Sequence, residues 1–309
     1  MYDADYPNRL KKLQNYAASP ELPSLLQWKP AEAGHALVWK TTKELFVGVA
    51  VVQVYNYRLN CGPNGNYINP DVGKFVRSKF QFYSGRPSDS NFSEDYLKLF
   101  SNLEKLQQEI AVTKSRRDML FVDASGKMLR FAKAIFMERE KPLKRSPDVR
   151  YYEDVVNATE ENQEDLGDTI DDETNNWPVE EKYKEALNEI KYTHRVLPLR
   201  VYKDSEYVEP RNVNNLLRNS VVEVLFSIHH TFLRSQVPAH DTFRANIEQI
   251  IIHKQQQTFD ETSYSKTSVR SGPISADTFN VKHQREDENE SESRPQKIQS
   301  AKGKGTTIL

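Results

Sequence analysis

The sequence predicts an α+β, mainly β protein, built as a single compact β-barrel or sandwich. It carries two helices, a disordered acidic insertion and a disordered C-terminal tail. Three observations point there. Runs rich in Val, Ile, Phe and Thr with partial period-2 alternation recur at 35–39, 45–59, 74–83, 119–138, 196–202, 220–233 and 241–253. Only two long stretches show an apolar stripe at helical spacing. One short block concentrates acidity: residues 151–181 hold 12 acidic residues and no Lys or Arg.

Taken in order, Pro20 and Pro23 end a short helical stretch that begins near Arg9. Residues 45–59 read as a long strand that is apolar on both faces early and polar late, as a strand leaving a core would be. The loop 60–73 is dense in Gly, Pro, Asn and Asp. Residues 74–83 return as a strand whose faces separate. Val76, Ser78, Phe80 and Phe82 form a core side, and Phe75, Arg77, Lys79, Gln81 and Tyr83 form a basic, aromatic-bordered outer side.

The best helix spans about 94–114, with Ser93 as N-cap and Tyr96, Leu99, Leu103, Leu106 and Ile110 on one face. A turn at 123–126 joins 119–122 to 127–138 as a hairpin. Pro178 can open a second helix to residue 191, with Val179, Tyr183, Ala186, Leu187 and Ile190 on one side. The strands at 196–253 make too small a core by themselves, so strands before the acidic block must complete it. One domain over 25–255 follows, with 151–177 as a disordered acidic insertion and 256–309 as a solvated tail.

The overall charge of −1 conceals blocks, since residues 1–150 carry 24 Lys and Arg against 16 Asp and Glu. The folded part is therefore basic, which suits a polyanionic partner. Cys61 is the only cysteine, so no intrachain disulfide forms. The N-terminus has no leader pattern and no run approaches 18 apolar residues, so the expected location is intracellular, nuclear or cytoplasmic, with no membrane partner.

The sequence argues against catalysis. It has no Gly-rich phosphate loop, no nucleophile elbow and no H-E-x-x-H, so no cofactor and no metal are expected. Adjacent strand residues point to opposite faces, so His229 and His230 cannot both reach one metal without a bulge. Cys61 stands alone in its loop, and the carboxylates of 153–173 lie in a segment unable to hold an acid–base geometry.

The remaining candidate is a nucleic-acid-binding face made of Tyr55, Tyr57, Arg58, Phe75, Arg77, Lys79 and Tyr83. Binders of single strands need cations along the phosphates and aromatic planes for the bases, and alternation on one sheet face supplies both. An ordinary solvated sheet face carries the same residue types. Single-stranded nucleic acid is thus the expected partner. The alternative is a protein-interaction scaffold that docks a protein through the acidic segment.

Two resemblances bear on this. Tyr207-Val-Glu-Pro210, the run from Leu217 to His230 and the run from Asp241 to Ile252 are similar to a pattern in uncharacterised proteins of mushroom-forming fungi, which implies no activity. The order of elements also resembles phage-type single-strand-binding proteins of OB fold, in which a long strand after a Gly and a second one ending in an amphipathic run build part of the barrel. Here Ser220 stands where that Gly would be. The resemblance implies a small barrel that holds single strands, and it transfers no individual binding residue.

Overall fold

The computed structural model describes residues 2–123, 126–143 and 169–255. The expected tail, 256–309, and residues 151–168 of the expected insertion lie outside the described residues. The chain is mainly β. Its strands are β1 (Leu26–Ala31), β2 (Gly34–Trp39), β3 (Val47–Val54), β4 (Lys79–Gly85), β5 (Arg116–Arg117), β6 (Leu120–Asp123) and β7 (Gly126–Ala134). There follow β8 (Phe136–Glu138), β9 (His194–Val196), β10 (Val201–Lys203), β11 (Glu206–Tyr207), β12 (Val221–Leu233) and β13 (His240–Lys254).

Where two helices were expected, six α-helices occur among the described residues. They are α1 (Tyr6–Lys11), α2 (Leu22–Leu25), α3 (Asp95–Ile110), α4 (Asp172–Asn175), α5 (Lys184–Ile190) and α6 (Val213–Leu217). α3 and α5 lie in the two expected stretches, whereas α2, α4 and α6 have only four or five residues each, too few for a readable periodicity.

Five strands pair in a closed circuit: β3 with β4, β4 with β7, β7 with β13, β13 with β12 and β12 back to β3. Every contact is antiparallel except β7–β13, which is parallel. Counted along the chain the circuit runs first, second, third, fifth, fourth, the arrangement of a partly open OB-type barrel. The opening is real, because β7 and β13 share only the pairs Phe131–Ala245 and Ala132–Asn246. Further strands make it more than a plain barrel. The hairpin β1–β2 extends the far half of β12, and β10–β11 extend β13, giving a sheet of 11 strands.

Alternation explains which side is filled. Val222, Val224, Phe226 and Ile228 of β12 are fully buried, as are Phe80 and Phe82 of β4 and Phe131 of β7. Phe82 and Phe131 stack at 5.1 Å, and Phe131 meets Phe226 edge-on at 5.3 Å. Helix α3 lays Tyr96, Leu99, Leu103 and Leu106 on this core. Its N-cap is Glu94, not Ser93, whose hydroxyl is taken at 2.7 Å by Arg86.

Three boundaries differ from the sequence expectation. First, the body starts before residue 25: Leu10, Tyr16, Ala17 and Leu22 are buried in the shared core. Second, residues 171–177 of the expected insertion belong to the folded body. Asp171 accepts from the Thr174 N–H to cap α4, and the buried Trp177 donates to the Pro63 carbonyl at 2.9 Å. Third, β3 ends at Val54, and 75–77 form a 3-10 turn in place of a strand. Ser78 fixes that turn by donating both its N–H and its hydroxyl to the Phe75 carbonyl.

Candidate nucleic-acid interface

Residues directly opposite on neighbouring strands point to the same side of a sheet. Following the registers across this one gives a row. Lys29 of β1 pairs with Ala36 of β2, Ala36 with His229 of β12, and His229 with Arg244 of β13. The parallel pairing of Ala245 with Phe131 sets Arg244 level with Arg130 of β7, and Arg130 pairs with Tyr83 of β4. The row crosses six strands at right angles and covers about 24 Å at the usual strand spacing. It lies on the outside, since the alternate row of Trp28, His35, His230 and Phe243 packs inward as a ring cluster.

Two cavities deepen the middle of this face. One of about 300 Å³ is lined by Arg77, Lys79, Gln81, Arg130 and Arg244, with Asp118 at its side. The next, about 260 Å³, continues past Lys79 and Arg244 to Lys133, Asn246 and Glu248. Ala132 and Ala134 form the floor, where small side chains leave room between the cations.

Lys79 carries the electrostatic signature. Burial holds its pKa down, and Arg244 and Arg130 lower it further against the pull of Asp118. Lys133 is lowered in the same way, by burial and by Arg200, against Glu248. Cations that repel one another across a half-buried trough create a strong positive potential for an incoming anion. Arg130 is paired with Asp118 at 2.6 Å. Among the described residues no carboxylate lies within ion-pair distance of Lys29, Arg77, Lys79 or Arg244.

An aromatic end adjoins the row. Arg130 lies over the Phe121 ring at 5.8 Å, Phe121 meets Tyr83 at 5.4 Å, and Tyr83 meets Tyr57 at 5.9 Å. Arg58 caps the series 5.0 Å over Tyr57. Arg58 takes a φ of +52°, the left-handed turn that carries the chain off the sheet after β3.

The structure distributes the sequence-proposed residues as follows. Arg77 and Lys79 sit together in the first cavity. Tyr57 and Arg58 are exposed, but on the loop after β3 and not on a strand. Tyr55 is half-buried and its ring covers Gly85, where a Cβ would come within 2.1 Å of the Tyr55 hydroxyl. Tyr83 is only 3% exposed, so it supports the rings above it more than it presents its own.

Phe75 is not on the outer face. The 3-10 turn swings it inward, 5% exposed, against Tyr67, Phe136 and Tyr183. Sequence reasoning missed Lys29, Arg130, Arg244 and Phe121. Each outer-facing Arg was visible as the polar member of an alternating run, but the registers that align them were not.

The chemical alternatives fare as the geometry dictates. Cys61 is fully buried and its thiol is pushed up to about 12 by burial, so it is no nucleophile. His229 faces out, while His230 faces in and meets Asp241 at 2.8 Å. Among the described residues no cluster of three or more His, Cys, Asp or Glu is placed to hold a metal. No described helix is long and apolar enough to cross a membrane.

The chain matches no known family model and no curated protein. Among solved structures it is similar to gp2.5, a single-stranded DNA binding protein encoded by bacteriophage T7, with 7% identity and a TM-score of 0.37 over 75% of this chain and 100% of that one. It is also similar to the single-stranded DNA-binding protein from bacteriophage Enc34 in complex with ssDNA, with 10% identity and a TM-score of 0.35 over 76% of this chain and 98% of that one. No residue is transferred from either.

Proposed function

We propose that this chain is a non-catalytic protein that binds single-stranded nucleic acid across the outer face of its barrel. The observation that carries the reading is the row at right angles to the strands, in which Lys29, Arg244 and Arg130 succeed one another and end at an aromatic series whose outermost ring, Tyr57, is exposed. In that reading Arg77 and Lys79 reinforce its centre, and Tyr57 and Phe121 offer planes to bases with Arg58 beside them. Tyr83 holds those planes from beneath, while Tyr55 covers Gly85 and Phe75 contributes only to the core. In barrels of this type the face of the second and third strands and the loop joining the first to the second are where oligonucleotides lie. Here these are β4, β7 and the loop that carries Tyr57, Arg58 and Arg77.

Fluorescence anisotropy with a labelled oligo(dT) tests this. Single-strand binding loses about 0.7 in log affinity per log salt for each phosphate contact. With contacts from Lys29, Lys79, Arg130 and Arg244, affinity falls roughly 50-fold between about 50 and 200 mM salt. No binding at the lower salt, or binding that salt does not weaken, defeats the proposal.

A further inference from the structure

The row contains one residue whose charge depends on its surroundings. His229 sits between Ala36 and Arg244, and beyond Ala36 stands Lys29. On its other side the hydroxyl of Ser227 lies 3.4 Å from Nε2 and donates at 2.8 Å to the Glu248 carboxylate. Glu248 also faces Lys133, which in turn faces Arg200. Among the described residues Nδ1 of His229 has no hydrogen-bond partner.

We propose that binding of an anionic backbone to this face is coupled to proton uptake by His229, so that the ligand is held more tightly as pH falls. The inference rests on the nucleic-acid reading above.

In the free protein burial and the neighbouring Arg244 hold the imidazole pKa below its ordinary 6.5, and Glu248 pulls weakly the other way. A phosphate drawn in by Arg244 reverses the first of these charges. It neutralises the guanidinium that repels the imidazolium, and it offers an acceptor to the unpartnered Nδ1–H. The Ser227 hydroxyl, whose proton is committed to Glu248, remains an acceptor for Nε2–H. Both ring nitrogens can then donate, which only the protonated imidazole can do.

By linkage, a group whose pKa rises on binding strengthens binding fully below its free-state value, and the effect is lost as pH rises through the bound-state value. The window therefore opens below 6.5 and extends upward only as far as the phosphate lifts the imidazole. For one proton the slope is about tenfold per pH unit at most.

Two measurements on the full chain test it, both with oligo(dT) as the probe. Anisotropy titrations from about pH 8 to 5.5, at fixed salt, compare the native chain with His229→Gln. The expected result is an affinity gain on acidification that is roughly five- to tenfold larger in the native chain than in the variant. NMR of the histidine rings, with the His229 signal assigned by its loss in the variant, follows its titration with and without the oligonucleotide. Its midpoint is expected to rise on binding.

Equal pH dependence in the two proteins, or a midpoint that the oligonucleotide leaves in place, overturns the coupling while the binding reading stands. Absence of binding at every pH overturns both. The NMR titration needs only the native chain for its shift, so a variant that folds poorly does not protect the proposal.

Discussion

Arg244 of β13 and Arg130 of β7 face one cavity from neighbouring parallel strands, and Arg130 is bound to Asp118 at 2.6 Å while Arg244 has no described carboxylate partner. The two therefore differ in what they offer an anion. Arg244→Ala should weaken oligo(dT) binding and reduce the salt slope by about 0.7, the loss of one phosphate contact. Asp118→Asn should do the opposite, because it removes the carboxylate that competes for Arg130. Anisotropy at three salt concentrations measures both, and weaker binding by Asp118→Asn, or unchanged binding by Arg244→Ala, would contradict the assignment.

Two of the four aromatic positions proposed from sequence, Tyr57 and Phe75, should separate by phenotype. Tyr57 is 59% exposed, so Tyr57→Ala should leave unfolding unchanged and weaken binding by about 1–3 kcal/mol, one stacked base. Phe75 is buried among Tyr67, Phe136 and Tyr183, so Phe75→Ala should cost about 3–5 kcal/mol of stability. Chemical denaturation paired with anisotropy on each variant reads both axes.

That contrast shows what the sequence could convey. The barrel strands β12 and β13 were legible because long Val- and Ile-rich alternation survives in any context, and Leu99, Leu103 and Leu106 marked α3 by their spacing. Phe75 was misplaced because a 3-10 turn of three residues has no periodic signature, and the Ser78 hydrogen bonds that fix it are not a pattern in sequence. The row itself was hidden for a different reason. Lys29 lies beside Pro30, which argues against a strand, although an edge position tolerates it. Lys29 and Arg130 come from strands far from β12 and β13 in the chain, and a register shift of one residue would have put His229, Arg244 or Arg130 inside.

Cys61 should behave as a core residue. Its thiol is fully buried and burial pushes it up to about 12, so almost none is thiolate near neutral pH. A thiol reagent at about pH 8 should label the native protein only as fast as it unfolds and should label the denatured chain at once. Fast labelling under native conditions would place the loop 60–67 away from α6, whose Asn214 side chain now accepts from the Cys61 N–H at 2.7 Å.

Asp241 is the strongest candidate for an acid-sensitive tie. Its buried carboxylate accepts from the Val112 and Thr113 N–H groups, the Thr113 hydroxyl at 2.6 Å and His230 at 2.8 Å, joining the end of α3 to the start of β13. Burial by itself would raise its pKa, but those hydrogen bonds, led by Thr113 and then His230, hold it below 3.8. A carboxyl depressed in this way stabilises the fold above its unfolded-state pKa, and the stabilisation is lost as pH falls through the folded-state value. Stability should therefore decline as the protein is acidified below about pH 4. Asp241→Asn, nearly the same shape without the charge, turns an amide toward donors that need an acceptor. It should cost about 3 kcal/mol or more at neutral pH and flatten the acid limb of the stability profile. Urea unfolding of both proteins across acid pH checks the two effects together: a variant that matches the native chain at neutral pH, or falls as steeply in acid, would show that Asp241 does not tie α3 to the barrel.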